Sequence, residues 1–232
     1  MKILCISDQI DPLVYSSSIK DHFGDVDLVL SAGDLPMDYL DFIVSTLNKP
    51  LLFVFGNHDL KEYHHYRPPR NTGGLWRGLE EEHGAIHLGS RVRREEGLIM
   101  AGLGGCMRYN QGENQYTNFE MGWEILKLIP ALLFNRIFRG RFLDVLLTHA
   151  APEGIHDLAD PCHRGFPVFL WFMRVFRPRY LIHGHIHIYD RKTPRATRYH
   201  ATDVLNVYSH YLLDTARPVE NTEGAADSGG AV

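Results

Sequence analysis

Five apolar runs in this 232-residue chain each end in residue types that bind cations or move protons. KILCIS stops at Asp8, DLVLSAG at Asp34, LLFVFG at Asn57-His58-Asp59, FLDVLLT at His149, and RYLIHG at His185 with His187 two residues on. Each has an ordinary explanation when taken alone: Asp34 and Asn57 as turn or helix-cap residues, His149 as a satisfied buried histidine. Capping gives no reason to choose histidine twice, so the set asks for a shared chemistry. Two carboxylates, an amide oxygen and three imidazoles, with no thiolate, suit Mn²⁺, Fe, Zn²⁺ or Co²⁺ better than Ca²⁺ or a structural thiolate zinc. Six donors exceed the needs of one ion and suit two ions that share a bridging carboxylate. His185 and His187 are two apart and point to one side of an extended segment. Gly184 lets the backbone turn closely just before them.

Such residues must be brought together by the elements that carry them. The early runs are separated by stretches of helical period, SSSIKDHF and MDYLDFIVSTLN. The second is opened by Pro36 and carries Leu40, Ile43, Val44 and Leu47 along one face. Strands alternating with helices predict a parallel sheet, whose carboxyl ends line one edge where α/β proteins place ligands. AIHLGSRVRREEGLIMAGLGG reads as short strands in meander-like pairing, and helices are expected over 118–138 and 165–176. TRYHATDVLNVYSHYLLD alternates as two or three antiparallel strands. The stretch from Thr215 is small and polar, which predicts one domain over 1–214 and a disordered tail over 215–232.

The ordered series D-x-x, GD, GNHD, TH and GHxH, from Asp8 to His187, resembles the calcineurin-like metallophosphoesterases. The resemblance implies a four-layer αββα sandwich of two mixed β-sheets flanked by helices, with a dinuclear site at the strand ends. It assigns Asp8 and His187 to a first ion and Asp34 to a bridge, with Asn57, His149 and His185 on a second. The cofactors it implies are two divalent ions, Mn²⁺ foremost, with Fe, Zn, Co or Ni as alternatives. A hydroxide held between the ions would attack phosphorus, because metal binding lowers the pKa of water to about 7. His58 would face the substrate as acid or charge stabiliser, and Asp59 would fix its orientation.

The chain departs from the family at Ile10, where the first motif normally has a histidine that helps bind the first ion. Three outcomes are open. Asp11, or Gln9, swings in as a substitute; water fills the position and leaves the first ion weaker; or catalysis is lost and a metal-binding or protein-binding scaffold remains. The pair His58-Asp59 favours retained catalysis, since a pure scaffold has little reason to keep it.

Two loops offer substrate contacts. GLGGCMRYNQGENQYTNFE carries Arg108 and Tyr109 for phosphate and base stacking, and APEGIHDLADPCHRGF carries His163 and Arg164 beside a helix start. The helix FPVFLWFMRVF is apolar nearly all round, which leaves room for a homo-oligomer or a lipid-facing patch as well as plain burial. The net charge of −4 argues against nucleic-acid or anionic-membrane partners. WEILKLIPALLFNRIF, the longest apolar stretch, is interrupted by Lys127 and Pro130 and falls short of the ~20 residues that span a bilayer. Cys5, Cys106 and Cys162 show no CxxC spacing and read as reduced thiols. The expectation is a cytoplasmic enzyme acting on a small phosphorylated substrate, with no membrane partner.

Overall fold

A strand covered on both faces reads as an unbroken apolar run rather than as an alternation. KILCIS is such a run, and in the computed structural model, which describes residues 1–66, 84–190 and 193–219, it forms β1 (Lys2–Ser7). There follow α1 (Ile19–Phe23), β2 (Leu28–Ser31), α2 (Met37–Leu47), β3 (Leu51–Phe53), α3 (Tyr63–Tyr66), β4 (Ala85–His87), β5 (Val92–Glu95) and β6 (Leu98–Leu103). The chain continues through β7 (Cys106–Met107), β8 (Gln115–Tyr116), α4 (Asn118–Arg139), β9 (Val145–Thr148), α5 (Pro167–Phe176) and β10 (Tyr180–His183). It closes with β11 (Ala196–Tyr199), β12 (Thr202–Asn206) and β13 (Ser209–Asp214).

Two large sheets result, in the orders β13-β1-β2-β3-β4 and β11-β12-β10-β9-β6-β5, while β7 and β8 pair within the loop before α4. β1 to β4 are parallel and β13 antiparallel to β1; β6, β9, β10 and β12 are parallel, with β5 and β11 antiparallel at the edges. The expected meander is therefore only the β5–β6 hairpin, because β4 leaves it to extend the first sheet beside β3. The antiparallel segment near the end is likewise divided: β11 and β12 pair with each other, and β13 crosses back to β1.

Successive side chains of a strand face opposite ways, and that alternation builds the layers. Leu4 and Ile6 join Ile19, Phe23, Leu40 and Ile43 beneath α1 and α2. Ile3 and Cys5 meet Val145, Leu147, Tyr180 and Ile182 between the sheets. Leu146, Leu181 and Val204 turn outward onto Met121, Ile125, Leu128 and Leu132 of α4 and Phe169, Phe172 and Met173 of α5. Helix, sheet, sheet and helix make the four-layer αββα sandwich.

Two local rules set the second helical layer. Thr117 accepts from the Glu120 N–H and the Glu120 carboxylate accepts from the Thr117 N–H, a capping box that starts α4. Pro167 opens α5, and the Asn118 side chain accepts from Val168 N at 2.9 Å, tying the two helix starts together. Pro130 lies inside α4 and does not end it. At the other end of the chain, Thr215 donates to the Met1 carbonyl and Val219 packs on the inter-sheet core, so the body extends beyond the expected boundary at 214. The rest of the expected tail, 220–232, lies outside the described residues.

Candidate metal centre

The candidate ligands sit just past the carboxyl ends of β1, β2, β3, β9 and β10, three from one sheet and two from the other. The His185 N–H donates to both Asp8 oxygens, at 3.0 and 2.9 Å, which fastens the end of β10 to the end of β1. The His58 N–H donates to Asp34 Oδ1 at 2.8 Å, joining β3 to β2 in the same way. Asn114 adds a third tie, its amide donating to the carbonyls of Phe55 and Gly56. Asp8, Asp34, Asp59 and His185 all adopt left-handed backbone conformations, with φ of 64°, 56°, 51° and 66°. Side chains pay a steric cost there of about 1–3 kcal/mol each, and such residues cluster at functional sites. Two glycines permit the close approach: a Cβ on Gly56 would lie 2.0 Å from Asp34 Oδ1, and one on Gly184 would lie 2.4 Å from Asp8 Oδ2.

One half of the site is dense. Potential ligand atoms of Asp34, His149 and His185 lie within 4.8 Å of one another, and Asn57 Oδ1 is 3.1 Å from His149 Nε2. His149 Nδ1 donates to the Ala32 carbonyl at 2.8 Å, which aims Nε2 at Asp34 Oδ2, 3.3 Å away. His185 Nε2 donates to the Cys162 carbonyl at 2.7 Å, which leaves Nδ1 as its bare nitrogen. Metal-binding histidines are commonly oriented by such carbonyls through the ring nitrogen that does not bind. With donor–metal distances of about 2.0–2.2 Å, this donor set fits a divalent ion.

The other half is sparse. His187 Nε2 stands 4.0 Å from Asp8 Oδ1, a separation that suits two donors on either side of an ion. The His187 Nδ1 is 3.0 Å from the Tyr189 hydroxyl, and the Tyr208 ring packs against it at 4.8 Å between centroids. Ile10 is exposed and brings no donor. Asp11 does not take its place. Its carboxylate accepts from Leu13 N at 2.8 Å, from Ser209 Oγ at 2.5 Å and from His210 Nδ1 at 2.6 Å, and those partners hold it buried beside β13.

Electrostatics mark the same division. Burial opposes the charge on Asp34, but the His149 charge and hydrogen bonds from His149 and His58 outweigh it and hold the carboxylate below its usual range. Burial likewise opposes a proton on His149, yet Asp34, Asp8 and the Ala32 carbonyl raise it to about 9. A protonated Nε2 is what Asp34 Oδ2 and Asn57 Oδ1, both acceptors, require of it. Burial raises Asp8, and burial reinforced by the His149 charge lowers His185 to about 3. These partners favour a proton at the centre of the dense half, the place a cation would take.

Around this centre the loop residues divide. Asn57 Nδ2 donates to the Tyr109 hydroxyl at 3.5 Å, so Tyr109 reaches the site, whereas Arg108 pairs with Glu120 at 2.9 Å and belongs to the cap of α4. The His163 ring lies 5.2 Å from that of His185 and is held by Asp160 at 2.9 Å. Arg164 is exposed and has no ligand contact among the described residues. His58 and Asp59 are both exposed, and among the described residues no hydrogen bond joins their side chains. Sequence reasoning missed the Ala32 and Cys162 carbonyls, Asn114, and the tyrosines beside His187. Tyr189 alone carried a signal, standing two residues beyond His187 on the same side of an extended segment.

A family model for calcineurin-like phosphoesterases matches residues 1–189. No curated protein matches the chain. One solved structure aligns with a TM-score of 0.62 and 14% identity, over 93% of this chain and 95% of that one. TT1561 of Thermus thermophilus aligns with a TM-score of 0.64 and 16% identity, over 95% of this chain and 97% of that one. These likenesses bear on the fold.

Proposed function

The chain belongs to the calcineurin-like phosphoesterase family, and on that premise we propose that it hydrolyses a small phosphomono- or phosphodiester with two divalent ions, the first in an atypical site. The meeting of Asp34, His149 and His185 within 4.8 Å, with both ring nitrogens aimed by backbone carbonyls, is the observation that supports this reading. Asn57 Oδ1, His149 Nε2, His185 Nδ1 and Asp34 would hold one ion; Asp8, His187 Nε2 and the shared Asp34 would hold the other. When bound, the ions supply Lewis acidity, acidifying water and neutralising phosphoryl charge. His58 stands at the exposed rim with its backbone anchored on Asp34, where its ring can hand a proton to the leaving oxygen. Tyr109 and His163 flank the same opening and can donate to phosphate oxygens.

The test is hydrolysis of p-nitrophenyl phosphate and bis-p-nitrophenyl phosphate with Mn²⁺, Zn²⁺, Co²⁺, Ni²⁺ and Mg²⁺, comparing wild type, His58→Ala and Ile10→His. Turnover by wild type, its loss of about 100-fold or more in His58→Ala, and tighter metal binding by Ile10→His are expected. A second reading, a scaffold without turnover, is favoured by one feature: Ile10 leaves the first ion only two donors besides the shared carboxylate. Equal and negligible rates in all three proteins would favour it.

A further inference from the structure

We infer that the outer face of α4 and α5 docks this protein on an anionic membrane surface. α4 turns Met121, Ile125, Leu128 and Leu132 inward, yet its opposite face is no less apolar. Phe119, Trp123, Leu126, Leu133, Phe134 and Ile137 line that outward face, each between 47% and 74% exposed. A helix that is apolar all round is normally buried on every side, and this one is covered on only one. From Phe119 to Ile137 the face runs about 27 Å at 1.5 Å per residue. An apolar groove shared with Val168 and Trp171 carries it across to α5. Exposed apolar surface of this extent marks an interaction site.

Charge says what covers it. Residues 125–143 and 161–189 carry eight of the chain's 24 lysines and arginines and none of its 28 acidic residues. Two of the eight, Lys127 and Arg141, are paired with Glu124 and Asp144, and the unpaired cations gather at the ends of the two helices. Arg136 and Arg139 stand at the end of α4, Arg174 and Arg177 at the end of α5, all exposed. The helix ends lie together: the Arg136 guanidinium sits over the Phe142 ring at 5.9 Å, and Phe142 meets Phe176 edge-on at 5.3 Å. The helix dipole favours a cation at each C-terminus, but it does not account for the absence of any acidic residue across both segments. None of these four arginines has a carboxylate partner among the described residues. Glu120 and Glu124, the acidic residues on α4, are already paired with Arg108 and Lys127. A twofold dimer through this face would bring two arginine clusters into one interface with no free carboxylate from either helix to meet them. A layer of anionic headgroups supplies the missing charge, and tryptophan and phenylalanine beside arginine is the composition that interfacial docking uses. Among the described residues no helix is long and apolar enough to cross a membrane, so the protein would lie on the surface.

The experiment is co-sedimentation of the full chain with phosphatidylcholine vesicles, with and without phosphatidylserine, alongside analytical ultracentrifugation without lipid. Binding to the phosphatidylserine vesicles, weakened at high salt, is expected. R136E/R139E should reduce it about tenfold or more with the far-UV circular dichroism preserved. Trp123→Ser should also weaken it and abolish a lipid-induced blue shift in tryptophan emission. Absence of binding to anionic vesicles overturns the inference, as does binding that ignores both phosphatidylserine and the arginine reversals. A stable dimer split by Trp123→Glu, with no vesicle binding, would assign the face to a second copy instead. None of these outcomes depends on hydrolytic activity.

Discussion

Lowering the pH should weaken the folded state through a pair of histidines that lies behind the candidate metal centre. His183 Nδ1 donates to the Gly184 carbonyl at 3.0 Å, which leaves its Nε2 to accept from His156 Nδ1, also at 3.0 Å. His156 Nε2 in turn accepts from the Thr197 hydroxyl at 2.9 Å. Both rings are neutral in this chain, and a proton added to either would be a buried charge with no carboxylate in hydrogen-bond reach among the described residues. Burial holds His156 down to about 4, and burial together with the neighbouring His156 pushes His183 well below its usual range. The unfolded chain takes up a proton at each histidine near pH 6.5; in the folded chain His156 refuses it until the pH is near 4, and His183 is held well below its usual range as well. More protons are bound by the unfolded state across that window, so stability rises with pH there and is lost as pH falls from 6.5 towards 4. For His156 alone the shift is worth about 3 kcal/mol when the window has been crossed, at about 1.4 kcal/mol per pH unit. For a chain of this length that is a fall of about 6–12 °C in melting temperature. The assay is urea unfolding with EDTA at pH values above and below the window, for wild type and His156→Gln, whose amide still donates and accepts but cannot titrate. Wild type should lose about 2–3 kcal/mol more than the variant across the window. Parallel losses in the two proteins, or a His156 ring that titrates near pH 6.5 by NMR, would refute the assignment of a buried neutral pair.

Two further substitutions probe the site itself. Gly56→Ala places a methyl group where Asp34 Oδ1 and His149 Cε1 already stand, at 2.0 and 2.6 Å. Calorimetric titration should find Mn²⁺ affinity reduced about 10–100-fold with the far-UV circular dichroism preserved; wild-type affinity would mean that the carboxylate is not a ligand. Asp11→Asn removes the charge that Leu13, Ser209 and His210 share, and should cost about 2 kcal/mol of stability while leaving Mn²⁺ affinity unchanged. A loss of metal binding without a loss of stability would return Asp11 to the ligand set.

The sequence made the four layers and the strand-end residues legible because both follow from local patterns. Ile3–Ile6 and Tyr180–Ile182 are apolar at every position since both of their faces are covered, and each run ends where a polar residue stands at the sheet edge. Pairing was less legible. Nothing in AIHLGS says that β4 joins the first sheet while β5 and β6 join the second, since a hairpin signal reports only neighbours in sequence. The pair Arg108 and Tyr109 shows the same limit within a loop: one side chain turns to Glu120 of a capping box and the other to Asn57, and both are polar residues in a glycine-rich stretch. Backbone carbonyls were beyond reach altogether. Ala32 and Cys162 aim the two histidines through groups that every residue possesses, so no residue type announces them. Net charge is silent for a related reason, because a whole-chain sum does not show that unpaired arginines gather at the ends of α4 and α5.

The consequence of Ile10 follows from how unequally the two halves of the site are held. Around His149, each donor is fixed twice: Asp34 by the His58 N–H and by His149, His149 by Ala32 and by Asp34, His185 by Cys162 and by its own N–H on Asp8. Asp34 remains ionised there and His149 holds a proton that a cation can displace, so that half is organised before any ion arrives. Around His187 the order is weaker. Asp8 is buried and its charge disfavoured, His187 is 44% exposed, and its ring is steadied by Tyr189, which is itself 85% exposed. An additional histidine at position 10 would offset the desolvation of Asp8 by sharing the ion. Isoleucine leaves that cost with Asp8, which the His149 charge and the backbone N–H of His185 offset only in part. Two ions held by these residues would therefore be unequal, the second meeting a preformed set and the first depending on a carboxylate whose surroundings favour its neutral form.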